Sequence, residues 1–323
     1  MKRFITMIVA VCAFFAVSAQ NPMVTLSHNG ELSFFTNLSA FEDAVDAAED
    51  GDTIFLSQGE FIVNGGALNI TKCLSIVGNG YGSHILGDIT INLNRNNTHV
   101  DAPLFDGVRL DKLAFSNHSI DDMKKTSEIR RCWIRTLDSG SNAGRNVTYD
   151  KCYIEDAEFY GSGTVLLKNS KVACRHTNSS YIKSTTAINC NLVLSSYYPL
   201  AAISCILVKG IGGTSEPTTS SSSASLINTL LDFKPTTTNN VYLNECYYIE
   251  DSVDSLFDDK MNCTLNLEEA GYLGEDGKEV GIRGGESPFS ENPSVPTVDS
   301  ANSTVEYDAT SNKLKVNITV KAD

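Results

Sequence analysis

Basic residues, histidine, proline and tryptophan are all scarce in this chain of 323 residues. Only 25 bases stand against 39 acids, a formal net charge of −14. That balance argues against nucleic acid or an anionic membrane as partner, because either needs a basic patch to release counterions. The five histidines, His28, His84, His99, His118 and His176, have no ligand spacing, and no C-x-x-C occurs. Neither a metal nor a cofactor is therefore expected. Eight prolines alongside 41% apolar residues exclude collagen-like and disordered classes. Past the N-terminus, no apolar run approaches the length of a membrane span.

The N-terminus itself reads as a targeting segment. Lys2 and Arg3 precede an uncharged stretch from Phe4 to Val17, and Val17-Ser18-Ala19 supplies the small residues that a signal peptidase reads. The expectation is a signal peptide over 1–19, cleaved before Gln20, and an exported protein: periplasmic, outer-surface or secreted. The mature chain would carry 23 bases, 39 acids and eight of the nine cysteines. An even cysteine count in an exported chain invites a disulfide framework, but the spacing of the cysteines points elsewhere.

Eight segments align: 108–115, 127–134, 147–154, 165–172, 185–192, 200–207, 224–231 and 241–248. Each has an apolar or small residue at its first, third, sixth and eighth places. The sixth place holds Leu113, Cys132, Cys152, Ser170, Cys190, Cys205, Thr229 and Cys246, at spacings of 19, 20, 18, 20, 15, 24 and 17 residues. The first and third places point the same way along one short strand, and the sixth and eighth do so along another. Between them lies a turn whose second position is Asn169, Asn189 or Asn228 in three of the segments, a residue suited to the left-handed backbone conformation. A unit this short cannot bury its apolar face alone and must stack on its neighbours, which is the logic of a β-solenoid. Five cysteines would then line one inward slot of successive coils. Coils sit about 4.8 Å apart, wider than the usual β-carbon separation of a disulfide, about 3.8 Å. Reduced thiols acting as small core residues are favoured over disulfides.

Upstream, Ser39-Ala40-Phe41-Glu42 has the pattern of a capping box, and Phe41, Ala44, Val45 and Ala48 form one helical face that ends at Gly51. One such helix suits a lid over the open end of a solenoid. The run A40-F-E-D-A-V-D-A-A-E-D-G-D-T-I-F-L-S-Q-G-E-F61, with L74-S-I-V-G-N-G80 after it, resembles the cap and first coil of pectin-lyase-like right-handed parallel β-helix proteins. D276-G-K-E-V-G-I-R-G-G-E-S-P-F289 and K313-L-K-V-N-I-T-V320 resemble the C-terminal part of uncharacterised exported β-helix proteins of Bacteroidetes. The resemblance implies an all-β, right-handed parallel β-helix with an N-terminal capping helix and a small C-terminal β unit. It covers polysaccharide lyases, glycoside hydrolases, adhesins and chains without known activity, so the fold leaves function open. The expected divisions are the β-helix with its cap over 20–287, a linker over 288–303, and a hairpin unit over 304–323. Residues 210–225 form a Gly/Ser/Thr-rich insertion that accounts for the 24-residue spacing.

Catalysis would need more than isolated acids, since two carboxylates must flank a glycosidic bond at a set separation. Asp121, Asp122 and Asp150 with Arg131 and Lys151 fall in neighbouring coils and are the best catalytic candidates. Because Arg130-Arg131 and Asp150-Lys151 fill turn positions, however, a solvated charged edge is the simpler expectation. Tyr153, Tyr197, Tyr198, Tyr242 and Tyr247 lie at or near outward-facing places, where stacked coils could space rings along a polysaccharide or other glycan. The expected function is a non-catalytic carbohydrate-binding or surface-adhesion and structural role. The alternative is a lyase or hydrolase of acidic polysaccharide.

Overall fold

The computed structural model describes residues 22–93, 103–116, 126–138, 146–159, 164–174, 184–194, 200–209, 224–231, 241–248 and 272–290, with short backbone stretches at 257–259, 264–265, 297–298, 304–308, 313–317 and 320–321. Strands dominate, and they stack as a parallel β-solenoid with two long sheets. Sheet A has twelve strands and sheet B eleven among these residues. Successive coils each give one strand to either sheet, as Val147-Thr148-Tyr149-Asp150 pairs in parallel with Val165–Lys168 and Tyr153-Ile154 with Lys171-Val172.

The turn between the two strands sits where the repeat places it. Arg131, Lys151, Asn169, Asn189, Ser204, Asn228 and Glu245 all have φ between 44° and 55°. They occupy the fifth place of their segments, and Gly107 (φ 62°) holds the same corner one coil earlier. After this corner, the sixth-place side chain turns inward. Cys132, Cys152, Ser170, Cys190, Cys205 and Thr229 are each 0% exposed, and Cys246 is half-buried. The bonding explains why these residue types recur. The N–H of Cys152 donates to Ser170 Oγ (3.0 Å), that of Ser170 to Cys190 Sγ (3.4 Å), that of Cys190 to Cys205 Sγ (3.4 Å) and that of Cys205 to Thr229 Oγ1 (3.4 Å). Each side chain also donates to the carbonyl two residues back, as Cys190 Sγ does to Ile188 O at 3.2 Å. A buried N–H at the corner would otherwise lack a partner, so the slot selects a small side chain that both donates and accepts. Cys73, Cys132, Cys152, Cys190, Cys205 and Cys246 are all free thiols.

Leu113 does not belong to this ladder. It pairs with Leu137 and Ile89 in a second inward column of sheet B, whereas Trp133 aligns with Arg109 and donates to Val108 O. Val108 therefore fills the slot, 24 residues before Cys132. The strand Arg109–Phe115 is itself apolar at Leu110, Leu113 and Phe115, so a displaced register matches the eight-place pattern equally well.

The cap is larger than one helix. Strands β1 (Val24–His28) and β2 (Glu31–Phe35) form a hairpin across Asn29-Gly30, both with positive φ, and β1 then pairs antiparallel with β3 (Thr53–Leu56), the first strand of the solenoid in sheet A. Helix α1 (Ala40–Ala47) buries Phe41, Ala44 and Val45 over the end of the core. Ser39 and Glu42 do not cap it as a box. Ser39 Oγ and both Glu42 oxygens accept instead from Asn64, in β4 (Gly59–Ile70), which ties the helix to sheet B.

At the other end, Thr304–Asp308 and Lys313–Asn317 form the expected antiparallel hairpin. Val320-Lys321 leaves it to pair with Thr297-Val298, so a strand lies within the segment read as a linker. The stretch from Tyr272 to Ser290 has few regular elements but docks back along the solenoid, and we call it the strap.

Candidate functional site

The strap runs from the last coil toward the fifth along the sheet B side of the turn corners. Tyr247 OH donates to Leu273 O (3.2 Å), and its ring meets Tyr272 edge-on at 5.2 Å. Farther along, Gly281 N–H donates to Ser204 O (2.7 Å), Ile282 N–H to Asn191 Oδ1 (3.2 Å), Asn169 Nδ2 to Gly284 O (2.8 Å) and Lys151 Nζ to Ser287 Oγ. Val280 packs on Ile206 and Leu230, leaving all three at most 2% exposed. These two residues stand at the seventh, outward-facing place of their coils. An apolar outward place is stable here only because the strap covers it.

Among the described residues, no segment covers the seventh place of the earlier coils as the strap covers that of the later ones. Arg109, Trp133, Tyr153 and Lys171 occupy it in four consecutive coils, and all are half-buried. The Arg109 guanidinium lies 4.2 Å over the Trp133 ring, and Trp133 is 5.5 Å from Tyr153 with the rings tilted by 38°. Lys171 Nζ stands 5.0 Å from the Tyr153 centroid, and Tyr81 meets Trp133 edge-on at 5.6 Å. Trp133 Nε1 donates to Glu155 Oε1 at 2.7 Å, which fixes the indole. Beside the column, His84 Nε2 is 3.1 Å from Asp111 Oδ1, Arg135 lies 4.0 Å from that same oxygen, and Lys112 pairs with Asp88 at 2.8 Å. Each cation–π contact contributes about 0.5–1 kcal/mol at such exposure, so the column is held by its own members.

Of the three described tyrosines expected to bind glycan, only Tyr153 stands in this column. Tyr247 lies under the strap, and Tyr242, 62% exposed, is on the outer face of sheet A. Tyr197 and Tyr198 fall outside the described residues, as do Asp121 and Asp122. The remaining catalytic candidates are engaged at the corner. Arg131 makes a two-pronged pair with Asp106, Nε to Oδ1 and Nη2 to Oδ2 at 2.7 Å each, and this bond raises its pKa further. Lys151 is held by Ser287. Burial pushes the Asp150 carboxyl up, against the lowering pull of Lys151. Among the described residues, no three His, Cys, Asp or Glu side chains are grouped to hold a metal ion.

Trp133, Arg109, Lys171 and Tyr81 were missed by the reading of the sequence. The available signal was the seventh place itself, since Trp133 and Tyr153 each follow a ladder cysteine directly. No family model, no curated protein and no solved structure matches this chain.

Proposed function

We infer that the protein is exported and binds a carbohydrate polymer on the outer face of sheet B, without cleaving it, in a surface-attachment role. The observation that carries this reading is the column Arg109–Trp133–Tyr153–Lys171. It sets rigid planar and cationic groups on consecutive coils about 4.8 Å apart, close to the length of one sugar ring. Flanking Asp111, Arg135 and Glu155 add hydrogen-bonding groups for hydroxyls, the mixture expected of a polar ligand site with few apolar anchors. Both faces of Trp133 are shared within the column, so a sugar would meet the outer rim of the rings and the flanking polar groups. The apolar N-terminal run and the resemblance of the segments 276–289 and 313–320 to exported β-helix proteins support export.

Trp133 is the only tryptophan, so its fluorescence reports on this face alone. Titration with soluble pectins, alginates, glycosaminoglycans and neutral glucans should change that emission for at least one polymer. Tyr153→Ala should weaken retention of the protein in affinity gels containing that polymer at least tenfold, while Tyr242→Ala leaves it unchanged. Unaltered emission and retention with every polymer would sink the reading. The runner-up, cleavage of acidic polysaccharide, draws on the raised carboxyl of Asp150. If no uronate absorbance develops above a heat-killed control, the lyase form of that alternative fails.

A further inference from the structure

Six of the nine exposed large apolar residues among those described, Met23, Leu32, Phe34, Leu38, Phe55 and Ile62, lie between residues 23 and 62. Strand register brings four of them onto one surface. Val24, Leu26, Ile54 and Leu56 face the core, so Met23, Leu32, Phe34 and Phe55 face outward from three adjacent strands, with Phe34 and Phe55 on either side of Thr25. Phe34 is 60% exposed, Leu32 56% and Phe55 44%. Contiguous apolar surface of this kind marks an interaction site more often than chance scatter does. The same place is a sheet edge. Among the described residues β2 has β1 on one side and no strand on the other, and it holds no lysine, proline or bulge to discourage pairing.

We propose that β2 is the dimerisation strand of this protein, pairing antiparallel with β2 of a second copy about a two-fold axis through Ser33. The sequence Glu31-Leu32-Ser33-Phe34-Phe35 is self-complementary in that register. Leu32 stands opposite the partner copy's Phe34 on the outward face, twice over, as a closed two-fold interface requires. Each Glu31 stands opposite a Phe35, so two strongly acidic chains meet without bringing like charges together. A strand of unlike sequence would not satisfy both halves of this pairing. Five residues of strand with three apolar side chains bury less than the roughly 800 Å² per partner of a standard interface, so the dimer depends on concentration. Sheet A then runs continuously through both copies, and the two solenoids extend in opposite directions from the shared edge.

Sedimentation velocity of the mature chain from low to high micromolar concentration tests the proposal, and the weight-average mass should rise toward twice that of the monomer. Phe34→Lys and Leu32→Glu change exposed positions and should each return the protein to monomer with an unchanged circular dichroism spectrum, while Tyr242→Lys leaves the dimer intact. In the proposed register the two Ser33 Cα atoms are about 4.5–5.5 Å apart, within disulfide range, so Ser33→Cys should give a covalent dimer on mild oxidation. Monomer at every concentration, or a dimer that survives Phe34→Lys, overturns the proposal. Absence of the cross-link in a protein that dimerises overturns the register on which it is built.

Discussion

Ser170 gives the sharpest test of why the inward slot takes the residues it does. Its hydroxyl accepts from the buried Cys152 N–H and donates to Lys168 O at 2.7 Å. Ser170→Ala should therefore destabilise the fold by about 1–3 kcal/mol in urea, the cost of orphaning a buried donor. Ser170→Cys should lose far less, because neighbouring rungs already use sulfur in that role, and equal losses for the two variants would refute the role. The thiols of Cys132, Cys152 and Cys190 should also be inert in the folded state, since burial raises the Cys132 pKa to about 12 and pushes Cys152 and Cys190 up as well. Their titration by a thiol reagent should wait for denaturant. At the cap, His28 lies 2.9 Å from the carboxylate of Asp52, and that bond raises its pKa above 6.5, with Glu49 and Glu31 adding to the effect. The bond thus stabilises fully below about pH 6.5 and is lost as pH rises through the higher folded value. The melting temperature of wild type should exceed that of His28→Gln most at acid pH, and a gap that widens toward alkaline pH would contradict the assignment.

Among elements, the strap depends most on backbone shape. Gly281 has φ +88°, and a Cβ there would collide with Asn191 Oδ1 and with Ile206. Gly281→Val should lift the strap, uncover Ile206 and Leu230, and admit proteases between residues 272 and 290 while the coils themselves resist. Rapid loss of the whole chain at the same rate as the strap would show instead that the two are not separable. Little of this was legible beforehand. The strap has no apolar period to announce it, and its glycines fit against asparagine side chains supplied from 90 or more residues upstream. Strands whose two places face the core in every coil were readable, since packing fixes their period. Strand Arg109–Phe115 was not, because it is apolar at places that satisfy two registers. Ser39 and Glu42 misled for a related reason: a capping pattern does not specify its partner, and Asn64 competes for both side chains.

At the scale of the whole molecule, the legible part was the coil and its corner. Asn169, Asn189 and Asn228 marked the left-handed position directly, and Arg131 and Lys151 were placed there by alignment alone. The outward face was far less readable, since tyrosine serves both as surface cover and as binding group, and only three-dimensional register separates Tyr153 from Tyr242 and Tyr247. The strap has one more effect. A stack of coils interacts only with nearest neighbours and can lose its end units one at a time, like a zipper opening. By joining Tyr247 in the last coil to Lys151 five coils earlier, the strap makes that peeling impossible without breaking contacts across six coils together. Unfolding in urea should therefore follow one transition, with Trp133 fluorescence and circular dichroism coincident in wild type and separated in Gly281→Val. What looks like a loop on the surface would then be what turns a sequence of repeats into a single cooperative body.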